Sequence, residues 1–212
     1  MDDAIPLHQT REPKIILAST SIYRGELLGK LKIPFEQVDP AYQESARTGE
    51  SPRKMALRLA LGKAQSAVSR IESHSPFIVI GCDQVAHLGA QVFGKPGSFE
   101  AASRQLATCS GNWVSFTTAI CLIDERGRSH QAAECYRIKF RSLAPQEITA
   151  YLDIDQPFDC AGSIKAESAG ITLLEGAKGR DINTLYGLPL MLLQESLASF
   201  GWQLDTLRYN HN

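Results

Sequence analysis

No apolar run in this 212-residue chain approaches the ~20 residues that cross a bilayer, so no membrane-spanning helix is expected. No C-x-x-C pair occurs either. The five cysteines (Cys82, Cys109, Cys121, Cys135 and Cys160) are odd in number and widely spaced. That argues against a disulfide framework and a structural zinc site. Isolated cysteines of this kind read as buried small hydrophobes in a reducing compartment, so the expected location is cytoplasmic. No two histidines stand at metal-ligand spacing, which argues against a zinc hydrolase. Charge of neither sign is in excess: a formal net charge of −1 provides no field for nucleic acid or an anionic membrane, and neither is expected as a partner. A phosphate-bearing ligand would need a local basic pocket. The opening stretch MDDAIPLHQTREPK is acidic and polar, unlike a signal peptide. Residues 1–12 are expected to form a flexible extension and 13–208 a single domain, because nothing repeats and no linker is long enough to divide the chain.

What is present alternates between strand and helix patterns, the mark of an α/β class. Lys14–Ser19 reads as a strand and Ile22–Leu31 as a helix with Leu27, Leu28 and Leu31 on one face. Ser51-Pro52 is a helix start, a capping hydroxyl followed by proline at the first helical position. The helix that follows repeats apolar residues at Leu57, Leu61, Ala64, Val68 and Ile71, with Lys63 off that stripe. Ser98 is placed to cap a helix over Phe99–Cys109. Trp113–Ile123 and the alternation of Tyr136, Ile138 and Phe140 with Arg137 and Lys139 form a hairpin around Glu125–Arg128. Pro145–Ile154 reads as a helix, Ile171–Leu174 as a short strand, and Gly187-Leu188-Pro189 as the opening of the last helix.

Phe77–Ile80 is an apolar run bounded by Pro76 and Gly81, the pattern of a strand buried on both faces. An acid just after it, Asp83, falls at the carboxyl edge of a sheet, where open α/β folds place ligands; a capping or turn aspartate would look the same. Ser19, Thr20 and Ser21 put three hydroxyls at a helix start, a setting that favours an anion. Arg24 lies on the core-facing stripe of that helix and needs a partner there; capping serines and an Arg paired with a buried carboxylate are the plainer reading. Gly89–Lys95 fits G-x-x-x-x-G-K, but Pro96 replaces the required Ser or Thr, and Gln91-Val92-Phe93 reads as a strand. The P-loop is rejected, and Lys95 remains a candidate phosphate contact. Glu44 and Glu50 flank a polar loop and could join Asp83 at a hard divalent ion.

Taken together, LASTSIYRGELL, Glu50-Ser51, Lys63-Ala64, GCDQV, GKP, SGNWVSFTTAI, CAGSIKAESAGI and GRDINTLYGLPL resemble the Maf family of nucleoside triphosphate pyrophosphatases, from about Lys14 to Phe200. That family is akin to the inosine triphosphate pyrophosphatases. The resemblance implies a mixed twisted sheet with flanking helices and two lobes around a central cleft. It also implies metal-dependent cleavage, with Mg²⁺ or Mn²⁺, of a nucleoside triphosphate to the monophosphate and pyrophosphate. Asp83 is implied as general base and, with Glu44, as metal ligand. Ser19, Arg24, Lys63 and Lys95 are implied as phosphate-binding. Gln43-Glu44 stands where the family often has Asp-Glu. Tyr23, Gln84 and Glu167 resemble the aromatic, Gln and Glu set of the 7-methyl-GTP branch, with Tyr23 replacing the more usual tryptophan. A cationic methylated guanine suits an aromatic face, and a carboxylate can accept from its N1–H and N2 amino group. A dTTP/UTP pyrophosphatase and a non-catalytic nucleotide-binding regulator of cell division are the alternatives. A homodimer is expected from the family likeness, and Arg180 and Asp181 receive no role.

Overall fold

A computed structural model describes residues 12–45, 47–72 and 75–209. The expected N-terminal extension, apart from Glu12, lies outside the described residues. One seven-stranded sheet is formed by β1 (Lys14–Ala18), β2 (Glu36–Val38), β3 (Phe77–Leu88), β4 (Gln91–Phe93), β5 (Trp113–Asp124), β6 (Ser129–Phe140) and β7 (Leu174–Lys178). The order is β2-β1-β3-β5-β6-β7, and β4 pairs only with β3. β2, β1 and β3 run parallel, while every other pairing is antiparallel. The helices are α1 (Ile22–Gly29), α2 (Pro52–Val68), α3 (Phe99–Cys109), α4 (Pro145–Asp155), α5 (Asn183–Tyr186), α6 (Leu190–Ser199) and α7 (Leu204–Tyr209). None of them is long and apolar enough to cross a membrane. The expected mixed sheet with flanking helices is the architecture found.

Local chemistry sets the element boundaries. Ser51 accepts from the Lys54 amide and Ser98 from the Ala101 amide, so α2 and α3 start where their capping hydroxyls stand. Asp124 closes the β5–β6 turn by accepting from the Arg126 and Arg128 amides at 3.1 and 2.8 Å. Two expectations need correction. Ile171–Leu173 belongs to a 3-10 helix, and the strand starts only at Leu174. There Asp155 takes the Ser168 hydroxyl and the Gly170 amide, which holds the chain in a turn until β6 becomes available for pairing. Cys135 and Cys160 are not buried, whereas Cys82, Cys109 and Cys121 are.

The third correction bears on function. β3 does not stop before Asp83 but continues to Leu88, because β5 pairs with it along its whole length. On its other edge the parallel ladder with β1 ends at Ala18↔Gly81, and pairing with β4 starts at Ala86↔Phe93. Cys82–Val85 therefore faces a gap between two strands, just past the carboxyl end of the parallel pair. This is the position at which open α/β sheets admit ligands.

Two lobes flank the gap. In one, Leu27, Leu28, Leu193 and Leu197 cover Leu17, Ile80 and Leu122 on one sheet face, and the alanines of α2 cover Ile16, Val79 and Cys121 on the other. In the second lobe, Leu106, Ile148 and Leu152 pack on Phe116, Ile138 and Phe140. Gly81 lets α2 approach β3 closely. A Cβ there would lie 2.7 Å from the Ala64 amide nitrogen and closer still to the Ala60 carbonyl. Gly81→Ala is predicted to destabilise the protein by about 1–3 kcal/mol through overpacking. Urea unfolding would show the lowered midpoint, and an unchanged midpoint would refute the close approach.

Candidate active site

The gap opens into a cavity of about 840 Å³ lined by Ser19, Tyr23, Arg24, Glu44, Lys63, Asp83, Gln84 and Lys95, among others. That volume suits a nucleotide-sized ligand. Eight of the nine expected site residues thus meet in one place. Glu167 does not line the cavity: it is exposed, beyond the rim, though within electrostatic range of Tyr23 and Tyr186.

The loop between β1 and α1 is organised by its hydroxyls. Ser19 is buried, and its Oγ accepts from the Ser21 amide and from Arg24 Nη1 at 3.3 Å. Arg24 Nε donates to the Gly187 carbonyl at 3.0 Å. Neither partner is an acid, contrary to the plainer reading. These contacts orient the guanidinium, which forms no ion pair within 4 Å among the described residues and so has N–H groups to offer an anion.

Lys63 requires the largest correction. The buried face of α2 carries Ala56, Leu59, Ala60, Lys63, Ala64 and Ala67, so Lys63 lies inside that face, while Leu57 and Leu61 are only partly covered. The close approach at Gly81 is made by Ala60 and Ala64, so the face centred on these small residues, which also takes Leu59, differs from the leucine stripe. Lys63 Nζ lies 2.6 Å from Asp83 Oδ1 and 2.6 Å from Glu44 Oε1. Glu50 is not available to this cluster. Arg58 holds it through Nε and Nη2 at 2.8 and 2.6 Å and also takes the Ser45 carbonyl, pinning the loop that carries Glu44. Lys95, on the turn after β4, is exposed to the cavity and forms no ion pair among the described residues.

The Maf-like protein family model matches residues 14–200. The chain belongs to the Maf-like family. It is 46% identical over 193 residues to a protein of Alcanivorax borkumensis named 7-methyl-GTP pyrophosphatase, covering 91% of this chain and 96% of that one. A Bordetella avium protein of the same name is 44% identical over 202 residues, covering 95% and 98%. Among solved structures, a nucleoside-triphosphatase / dITP/XTP pyrophosphatase of Mycobacterium abscessus aligns with a TM-score of 0.41 and 17% identity, over 61% of this chain and 75% of that one.

Within this Maf-like site the two carboxyls are tuned in opposite directions. Burial pushes the Asp83 carboxyl above its ordinary value, and Lys63 and Arg24 offset only part of that rise. Burial also pushes Glu44 up, but the hydrogen bond and charge of Lys63, with Arg24 and Lys95, outweigh it and hold the carboxyl below its usual value. Among the described residues no cluster of three or more His, Cys, Asp or Glu exists that could hold a metal. Glu44 and Asp83, whose oxygens converge on a single cationic atom, nevertheless suit a hard divalent ion whose shell is completed by water and substrate phosphate.

Several contributors escaped sequence reasoning. The Gly187, Thr184 and Leu185 carbonyls orient Arg24 and Gln84 across about a hundred residues or more, and backbone oxygens carry no sequence signal. Asp181, which received no role in the sequence, is buried and holds the segment before α6 to the start of that helix. Arg180 instead bridges Glu134 and Glu195.

Carbon-13 NMR of the side-chain carboxyls would test the electrostatics. Asp83, assigned by Asp83→Asn, is predicted to titrate above an ordinary aspartate. Lys63→Gln removes a cation that favours the ionised form, so the Asp83 titration should move further up. Movement downward would contradict the ion pair.

Proposed function

We propose that this chain hydrolyses nucleoside triphosphates, 7-methyl-GTP above others, to the monophosphate and pyrophosphate. The observation that carries this reading is the pair of carboxylates, Asp83 and Glu44, gathered on Lys63 in a cleft that also holds Arg24 and Lys95. Cations alone would make an anion-binding pocket; a buried acid with a raised pKa adds a proton acceptor. The 43–46% identity to proteins named 7-methyl-GTP pyrophosphatase supports the substrate.

Asp83 Oδ1 is engaged by Lys63, which leaves Oδ2 to take a proton from water as its oxygen bonds to the α-phosphorus. The bond between the α-phosphorus and the oxygen bridging to the β-phosphate breaks, and pyrophosphate leaves with that oxygen. Arg24, Lys95 and Ser19 bind the phosphates, and Lys63 holds Asp83 and Glu44 in register while offsetting charge. Glu44 and Asp83 would hold Mg²⁺ or Mn²⁺, which supplies charge neutralisation at the phosphates and a more acidic water. Tyr23 offers an exposed ring at the mouth of the cleft as a stacking face for a cationic base. Gln84 offers an acceptor to guanine N1–H or N2, and Glu167, exposed beyond the rim, is the second candidate acceptor.

Pyrophosphate release across a nucleotide panel, with and without Mg²⁺ or Mn²⁺, tests the reading directly. Activity should vanish on chelation, and a protein that binds nucleotides without releasing pyrophosphate would instead be the regulator. Asp83→Asn should lower kcat by roughly 100-fold or more. Turnover within a few-fold of wild type would exclude Asp83 as the base. Glu167→Gln with Gln84→Thr should lower kcat/KM for 7-methyl-GTP by at least about tenfold, or about 1.4 kcal/mol, while leaving dTTP and UTP unchanged or improved. A wild type that prefers dTTP or UTP would reject the base assignment and leave the reaction class standing.

A further inference from the structure

Gln84 sits in a hydrogen-bond network whose directions are all determined. Its Nε2 lies 2.8 Å from the Thr184 carbonyl, 3.0 Å from the Leu185 carbonyl and 3.0 Å from Thr118 Oγ1. Thr118 Oγ1 is also 2.7 Å from the Thr184 carbonyl. A carbonyl can only accept, so the Thr118 proton points to Thr184 and its lone pairs point to Gln84. Turning the Gln84 amide over would set Oε1 against three acceptors. Both of its hydrogens are thus committed to the protein. Gln84 lines the cavity, and its Oε1 has no hydrogen-bond partner among the described residues.

The carbonyls that impose this polarity are themselves held. Asp181 is 3% exposed; its Oδ1 accepts from the Asn183 amide at 2.9 Å and side chain at 2.7 Å, and its Oδ2 accepts from the Met191 amide at 2.9 Å. The segment from Asp181 to Gly187, α5 included, is therefore tied to the start of α6, and its last carbonyl is the one that orients Arg24.

We propose that Thr118 and Asp181 are positioning residues that polarise Gln84, so that it meets the nucleobase only as an acceptor and selects bases presenting N–H donors there. The inference rests on the nucleotide reading above and narrows it. Guanine and 7-methylguanine offer two adjacent donors, N1–H and the N2 amino group. Uracil and thymine offer one donor flanked by two acceptor oxygens, and adenine and cytosine set an acceptor beside their amino group. A polarised amide oxygen meets the first pattern without facing a lone pair, whereas in each of the other bases an acceptor stands beside the donor.

Three measurements test it. In the ligand-free protein both side-chain amide hydrogens of Gln84, assigned by their loss in Gln84→Ala, should exchange with solvent at least tenfold more slowly than those of an exposed glutamine. Exchange at the rate of an exposed amide overturns the proposal, whatever the protein's activity. Thr118→Ser keeps the hydroxyl and Thr118→Val keeps the shape. Affinity for 7-methyl-GMP should stay within about twofold for Ser and fall roughly three- to tenfold for Val, the scale of one hydrogen bond. A purely packing role predicts the reverse order, and that order sinks the idea. Finally, Gln84→Glu should weaken 7-methyl-GMP at least tenfold, because its carboxylate is repelled by the carbonyls of Thr184 and Leu185. Unchanged or tighter binding would mean that the loop does not polarise this position. A wild type that binds no nucleotide refutes the nucleotide reading, and the exchange rates still decide the polarity of Gln84.

Discussion

A buried ammonium group organises this cleft. Lys63 is almost wholly withdrawn from water, which is costly unless opposite charge and hydrogen bonds surround it. Asp83 and Glu44 supply both, and each comes from a different part of the chain: the middle of β3 and the loop before α2. Their meeting depends on the close contact of α2 with β3 at Gly81, and on the Arg58–Glu50 pair that pins the Glu44 loop to α2. Removal of Lys63 would leave two converging carboxylates, one of them buried, without the cation between them, so the same contacts that suit the proposed chemistry also hold two layers together.

The gap in the edge of β3 gives this charge cluster an opening. Successive strand residues point to opposite faces, so Asp83 turns toward α2 while Gln84 turns toward the loop before α6. Two adjacent residues are thereby separated by the sheet into a phosphate-side acid and a base-side amide, and both still border the cavity because no strand covers Cys82–Val85. On the Gln84 face a polar layer of Gln84, Thr118 and Thr184 separates the apolar clusters of the two lobes. Arg24 belongs to the same arrangement through the Gly187 carbonyl, which also accepts from the Cys82 thiol, kept protonated by burial.

Much of this was legible in the chain itself. Apolar runs, capping serines and the turn residues Glu125–Arg128 are local signals, and they placed the first strand to within one residue and the starts of α2 and α3 and the β5–β6 hairpin where the fold has them. Spaced motifs marked eight residues that border one cavity. Other features depended on partners distant in sequence. The extension of β3 through Asp83 comes from β5, and the delay of β7 to Leu174 comes from Asp155. The burial of Lys63 could not be read from a leucine stripe, because the face of α2 that packs was chosen by a glycine on β3.

The sequence by itself determined the class of fold, the acid, the cations and the hydroxyls, because these are properties of residue type and near-neighbour spacing. Tertiary structure alone decided which groups neutralise one another: Glu50 is consumed by Arg58, Glu44 and Asp83 converge on Lys63, and Arg24 is left charged. It also decided that Gln84 would expose an oxygen and not a nitrogen, since that choice belongs to three acceptors contributed from residues 34, 100 and 101 positions away. Charge pairing and hydrogen-bond direction are relations between atoms across space, set only when packing fixes which surfaces meet.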